Sequence, residues 1–397
     1  MSHAVFLEPL DVLFLRGNKL FGDPGSFGES LVPPWPSVIA GALRSRMLAD
    51  DKWVDVAAFA RGESPHPALG TPEKPGPFTV TAFHLARKKS DGAVELLIAL
   101  PADLVVFEDD AGHSVVRALA PTVAAAGLQS SASCPALPVL ADPKRSKSVP
   151  GYWLTESGWK KYLAGGVPET SDLVTSSALW AIDHRVGVGL DSSTRRAADG
   201  RLFSVQAVAM TKQRHRIGAD RRTGRPLLAD YDVGFLASVS GAEPPGHGTV
   251  RLGGDGRAAA VSAAAHTLPT PDYSAIATAS RCRLVLTTPG IFEAGWLPTG
   301  VSQTAEGDYR FELQGVRARL VCAAVPRFEV ASGWDLAKWQ PKPAQRTAPA
   351  GGVYWMEELE ATPEALHKLA ERGLWNDPCE DDARRAEGFN RFTLAVY

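Results

Sequence analysis

The stretch FTVTAFHLARKKSDGAVELLIALP, residues 78–101, sets the fold class. Its two runs, 78–88 and 93–101, are rich in apolar and β-branched residues and flank the tight turn Ser90-Asp91-Gly92. That pattern reads as a β-hairpin, because glycine supplies the turn conformation that most side chains avoid. The same pattern recurs along the chain. HRVGVGLD (184–191) and RLFSVQAVAM (201–210) bracket the polar turn SSTRRAADG, and 103–118 reads as a further hairpin around Asp110-Ala111-Gly112. Helical segments are expected over 36–47, opening at Pro36-Ser37, and over 155–164 and 171–181. The run TPEALHKLAERGLW gives a further helix, with Thr362 as its cap, Pro363 in its first turn and Gly373 at its end. Several hairpins mixed with helices, and no regular βαβ repeat, indicate an α+β fold with antiparallel sheets rather than a doubly wound parallel sheet.

At 397 residues the expectation is two domains or three, and 45% hydrophobic with 22% charged residues is an ordinary globular balance. Glycine (37) and proline (30) are both plentiful, which implies many turns and short elements. The four cysteines, Cys134, Cys282, Cys322 and Cys379, are far apart, with no Cys-x-x-Cys and no Cys/His pair at zinc spacing. This excludes a disulfide scaffold and a structural zinc site as expectations, and it suits a reducing cytoplasm. No stretch of about 18 apolar residues occurs, so neither a signal peptide nor a membrane span is expected. No metal or other cofactor is expected.

The formal net charge is −2, so any nucleic-acid surface must come from local clustering. Residues 185–225 provide it. Ten basic residues lie there (Arg185, Arg195, Arg196, Arg201, Lys212, Arg214, Arg216, Arg221, Arg222 and Arg225) against three acids, Asp191, Asp199 and Asp220, for a local charge near +7. Nine of the ten are arginine, whose planar fork pairs with phosphate and stacks on bases. Such runs are often only solvated surface, but this density and sign favour RNA, presented on a protruding hairpin. His215 lies within the cluster. His184 and His215 are the histidines in basic surroundings, and a metal-independent ribonuclease could use either as a general base, although neither has a defined partner in the sequence. Gly187-x-Gly189 and Leu252-Gly253-Gly254-Asp255-Gly256-Arg257 do not extend to a dinucleotide or P-loop motif, and read as plain hairpin turns or bulges or as glycine-rich turns contacting RNA or a neighbouring subunit. Most of the ten tryptophans belong to core or interface, with Trp334 and Trp339 the least core-like.

PLDVLFLRGNKLFGDPGSFGESLVPPWPSVIAGALRSRML (9–48) reads as a strand, a polar loop and a PPxPSxxAGAxR helix, and this stretch resembles the opening of the third subunit of type III-B CRISPR (Cmr) complexes, in the RAMP superfamily. HRVGVGLDSSTRRAADGRLFSVQAV (184–208) is similar to its RxGIxLDxxTxxAxxGxLY segment, with Phe203 in place of tyrosine. VRLGGDGRAA (250–259), LVLTTPGIFEAGWLP (284–298) and PAGGVYWMEEL (349–359) resemble its C-terminal signatures; 49–150 and 300–340 are the longest stretches without a match. The resemblance implies two ferredoxin-like (RRM-related) domains, 1–183 and 231–397, around a basic thumb-like insertion at 184–230. It implies binding of the crRNA 5′ tag, contact with target RNA only indirectly, and assembly with the large polymerase-like subunit and the backbone RAMP subunits. It implies no catalytic residue; a RAMP endoribonuclease that processes precursor crRNA is the alternative. It also lends most of the weight to a second binding region, Arg16, Gly17 and Lys19 in the Gly-rich loop with Arg44 and Arg46 on the following helix. The RNA-binding expectation therefore rests on these five together with Arg185, Arg195, Arg196, Lys212, Arg214, His215, Arg216, Arg221 and Arg222.

Overall fold

The computed structural model describes every residue except 1, 18–26, 109–112, 124–132, 142–147, 221 and 336. It is a mixed α/β protein with mostly antiparallel sheets and few helices. Two compact units are each assembled from three separate stretches: Met1–Glu95, Ser177–His266 and Val330–Gln345 form the first, and Leu96–Ser176, Thr267–Glu329 and Arg346–Tyr397 the second.

In the first unit, antiparallel strands lie in the order Thr79–Lys89, Tyr231–Ser240, Ser2–Pro9, Ala258–Ala263, Thr249–Arg251. Residues 231–263, grouped with the C-terminal half by the sequence reading, thus flank the N-terminal strand. Phe6, Leu7, Val233 and Phe235 are fully buried, and burying each such large side chain contributes about 1.5–3 kcal/mol. Gly234 is required by closeness, since a Cβ there would lie 2.3 Å from the Leu7 carbonyl oxygen. The turn quoted above forms as read: the Lys89 amide donates to Ala93 O at 2.9 Å, Gly92 adopts φ 85°, and Arg87 pairs with Glu95 at 2.7 Å. The helix Pro36–Asp50 follows the first strand and buries Ile39, Ala40 and Leu43. It packs against strands 79–89 and 249–251.

His84, in the first of these strands, is 8% exposed, and burial, reinforced by His266, lowers its pKa from 6.5 to about 4. The unfolded chain therefore binds a proton that the folded chain refuses between about pH 6.5 and 4. Stability is full above this window and falls as pH drops through it, by an amount on the order of 3 kcal/mol. Urea unfolding at several pH values is expected to show this slope in the wild type and a shallower one in His84→Gln. Equal slopes would contradict the assignment.

The second unit carries antiparallel strands in the order Val301–Gln303, Tyr309–Leu313, Val316–Ala324, Val353–Glu360, Cys282–Leu286, Phe392–Ala395. The helix Pro363–Arg372 lies in the chain between strands 353–360 and 392–395. Its start is capped by Thr362, whose hydroxyl oxygen accepts from the Ala365 amide at 3.2 Å, and it ends at Gly373 with φ 79°. Leu366 and Leu369 enter a core with Cys282, Leu320, Tyr354 and Leu394. Helix Glu156–Leu163 forms as read, capped by Thr155. The helix expected over 171–181 does not form. A 3-10 turn, Thr170–Asp172, leads into strand Leu173–Thr175, which pairs with Tyr152–Leu154, and only Ser176–Leu179 is helical. The β-branched Val174 and Thr175 favour the strand once a partner edge is present.

Both units repeat one strand order. Numbering 2–9, 79–89, 231–240 and 258–263 as strands one to four, and 282–286, 316–324, 353–360 and 392–395 likewise, each set lies in the order 2-3-1-4 across its sheet. The units differ in where the helix sits: between strands one and two in the first, and between strands three and four in the second.

Candidate nucleic-acid interface

The basic cluster forms two successive hairpins in the first unit. The long one pairs Trp180–Leu190 with Ala197–Met210 in antiparallel register, with Val188 opposite Leu202 and Arg185 opposite Val205. Its root is anchored: Val205, Ala207, Val208 and Met210 are buried, Leu13 bridges Val208, and Phe27–Gly28 adds a short parallel pairing at Ser204–Val205. Ser30 fixes the same edge, its amide donating to Gln206 Oε1 at 2.9 Å and its hydroxyl to Gln206 O at 2.7 Å. Beyond the root, Val186, Val188, Leu190 and Leu202 are exposed, so the outer part is a two-stranded ribbon without a core of its own. Gly187 and Gly189 make room on the opposite face. A Cβ at Gly187 would lie 2.4 Å from the Phe203 ring, and one at Gly189 would lie 2.9 Å from Arg201.

At the tip of this hairpin, Asp191 Oδ1 accepts from the Ser193 amide and hydroxyl at 3.0 and 2.6 Å and from the Thr194 amide and hydroxyl at 2.7 and 3.0 Å. The hydrogen bonds from Ser193, and then those from Thr194, lower the Asp191 pKa to about 2. This carboxylate is occupied within its own turn and, among the described residues, forms no ion pair with the arginines beside it. Arg195, Arg196, Arg201, Arg214, Arg222 and Arg225 are likewise exposed and form no ion pair among the described residues. Elsewhere in the chain many arginines are paired, among them Arg46, Arg87, Arg257, Arg283 and Arg319. Ten cations against three acids in 185–225, with the six exposed arginines in no ion pair among the described residues, leave a net positive surface suited to a polyanion.

Near the root of the long hairpin, Phe14 gathers the rest of the candidate surface. The Arg185 and Arg257 guanidinium carbons lie 6.0 and 5.3 Å from its ring centroid. The Gly254 amide donates to Phe14 O at 2.8 Å, and Gly253, at φ 77°, has room only for hydrogen because a Cβ would lie 2.7 Å from that same oxygen. Arg16 pairs with Asp255 at 3.4 Å, and the Gly17 amide donates to Glu29 O at 3.4 Å. Arg257 is held by Asp11 at 2.6 Å, and Arg185 by Asp183 at 2.9 Å. The structure therefore brings Arg16, Gly17 and Arg185 into one neighbourhood with the 252–257 turn. The sequence did not single out Phe14, and it offered Arg257 only as the end of the LGGDGR turn.

Other expected residues are placed differently. Lys212 pairs with Glu8 at 3.2 Å, a carboxylate that Lys88 shares at 2.5 Å. Arg46 binds Asp50 at 2.7 Å and Thr249 O at 2.7 Å, tying the helix to the edge strand, and Arg44 stacks 5.1 Å from the Phe78 centroid. Arg216 donates from Nε to Gly218 O at 3.3 Å. His184 stands opposite Gln206 in the ribbon, and the His215 amide donates to Lys212 O at 3.0 Å. Lys19 and Arg221 lie outside the described residues, as does the turn 109–112. Among the described residues, no group of three or more His, Cys, Asp or Glu is arranged to hold a metal ion, and no helix is long and apolar enough to cross a membrane.

No curated protein matches the chain. Among solved structures, 98% of this chain is similar to 98% of a chain in a cryo-EM structure of the Type III-B Cmr-beta bound to cognate target RNA and AMPPnP, at 12% identity and a TM-score of 0.48. A second, of the Type III-B Cmr-beta bound to cognate target RNA, matches at 13% identity and a TM-score of 0.46, covering 98% of this chain and 96% of that one. The family model of the CRISPR-associated protein (Cas_Cmr3) matches residues 5–395, and this chain belongs to that family.

Proposed function

We propose that this protein is a non-catalytic, RNA-binding subunit of a type III-B Cmr effector complex, holding the 5′ tag of the crRNA and helping to assemble the particle. Family membership supports the setting. The observation that carries the RNA-binding part is the set of exposed arginines on the two hairpins, whose neighbouring tip aspartates are occupied by their own turns. Target RNA is met through the crRNA, and the partners are the large polymerase-like subunit and the backbone RAMP subunits. The shared 2-3-1-4 strand order supports two ferredoxin-like domains, each retaining one crossover helix, with the hairpins inserted into the first.

Incubating the purified chain with repeat RNA tests this reading. The expected result is binding that weakens steeply with salt and leaves the RNA intact. Specific cleavage that disappears in His184→Ala or His215→Ala would contradict it and establish the alternative, an endoribonuclease acting on precursor crRNA.

A further inference from the structure

The tips of the two hairpins are built alike. In the long hairpin the turn runs from Asp191 through Thr194 to Arg196, and in the short one, between Arg216–Ala219 and Pro226–Leu228, its described residues are Asp220, Arg222, Thr223, Gly224 and Arg225. The Asp191 amide donates to Arg196 O at 2.9 Å and the Arg195 amide to Asp191 O at 2.8 Å; the Asp220 amide donates to Arg225 O and the Gly224 amide to Asp220 O, both at 2.8 Å. In each turn the Asp carboxylate accepts from the amide and hydroxyl of the Thr three residues on. The fifth position is left-handed in both, with φ 55° at Arg195 and 67° at Gly224. Arg196 and Arg225 occupy the same place in the two turns.

The short hairpin contributes little to a core. Leu227 and Leu228 are 47% and 57% exposed, and an isolated two-stranded ribbon is marginal in water. It is held at its root instead: the Arg214 amide donates to Ala229 O and the Ala229 amide to His215 O, both at 2.8 Å, and the Gln213 amide donates to Asp232 Oδ1 at 3.1 Å. Its tip aspartate accepts from Thr223 and from the Arg222 amide, and Arg222 and Arg225 form no ion pair among the described residues. Among the described residues, the turn uses no arginine side chain. Two successive tips therefore share one self-contained scaffold and present unpaired arginines from it.

We propose that the short hairpin Arg216–Leu228 is a second phosphate-gripping finger, equivalent at its tip to the long hairpin, so that single-stranded RNA is held at two separate arginine-bearing turns. This rests on the RNA-binding reading above and adds to it an independent point of attachment. In the left-handed slot, a side chain is strained relative to glycine. The short finger avoids this strain with Gly224, whereas the long finger places a cation, Arg195, in that slot.

The test uses the full chain and a fluorescein-labelled, mixed-sequence single-stranded RNA oligonucleotide, with affinity measured by anisotropy across a salt series. The slope of log affinity against log salt shrinks by about 0.7 for each phosphate no longer neutralised, so Arg222→Ala/Arg225→Ala is expected to reduce it by about 1.4. Arg222→Lys/Arg225→Lys should retain the wild-type slope, and thermal melting should be unchanged in both variants. Arg195→Gly/Arg196→Ala serves as the parallel variant in the long hairpin. If it lowers the slope while Arg222→Ala/Arg225→Ala does not, the short hairpin is no finger, although the RNA-binding reading stands. If neither changes the slope, that reading fails and the proposal with it.

Discussion

Arg283→Ala is expected to destabilise the second unit by about 3–5 kcal/mol, because it leaves a buried carboxylate without its counter-charge. Asp103 is fully buried, and Arg283 Nη1 donates to it at 2.8 Å. The Tyr162 hydroxyl donates to both Asp103 oxygens, at 2.9 and 3.0 Å, and the Arg283 guanidinium lies 4.1 Å from the Tyr162 ring centroid. Arg283 Nη2 donates to Tyr162 O at 3.1 Å and Val396 O at 3.0 Å, so one side chain joins a helix, a central strand and the C-terminal segment. Burial already pushes the Asp103 carboxyl above its usual range, against the opposing pull of Arg283 and Tyr162. Removing the guanidinium leaves burial opposed chiefly by one phenolic hydroxyl. Arg283→Lys should not rescue the loss, since an ammonium lacks the planar fork that reaches a carboxylate and two carbonyls together. The double variant Asp103→Leu/Arg283→Met should be more stable than Arg283→Ala, because it buries no unpaired charge. Urea unfolding monitored by tryptophan fluorescence measures all three. A loss below about 1 kcal/mol in Arg283→Ala would place the site within the range of surface pairs and contradict a buried structural role for this pair.

Reversing four tip charges, Arg195, Arg196, Arg222 and Arg225 to Glu, is expected to lower RNA affinity by on the order of 100-fold or more. Like charges brought together at an interface cost several kcal/mol, and each 1.4 kcal/mol is about tenfold. The fold should survive, since all four side chains are exposed and form no ion pair among the described residues. Anisotropy at low and at physiological salt measures the loss, which should be larger at low salt, where screening is weakest. Affinity within about threefold of wild type at low salt would remove the hairpins from the RNA surface, because several kcal/mol of repulsion cannot hide in so small a change.

The parts of this fold legible in the sequence are those governed by neighbouring residues. The Asp91-Gly92 turn, the helix that Thr362 and Pro363 open and Gly373 closes, and the long ribbon with its polar turn follow from local pattern. The pairing of 231–240 with 2–9 was not legible, because nothing in either strand names its partner. The same holds for Asp103 and Arg283, which are 180 positions apart, and for Arg257 stacked on Phe14. Within the candidate site, charge density singled out residues 185–225 but neither divided them into two hairpins nor sorted their cations. Lys212 and Arg214 look equivalent in sequence, yet Lys212 reaches Glu8, whereas Arg214 reaches no acid among the described residues. Whether a cation is occupied is decided by what the fold brings beside it. The helix expected at 171–181 failed for the same kind of reason, since strand 152–155 offers Val174 and Thr175 an edge that the local sequence does not show.

An RNA–protein crosslinking map of the chain within its assembled ribonucleoprotein decides whether the two hairpins hold RNA. Crosslinks are expected at residues 14–17, at the long tip around Arg195 and Arg196, and at the short tip around Arg222 and Arg225. Crosslinks confined to the second unit, or none to this chain at all, would contradict an RNA-gripping role for the hairpins.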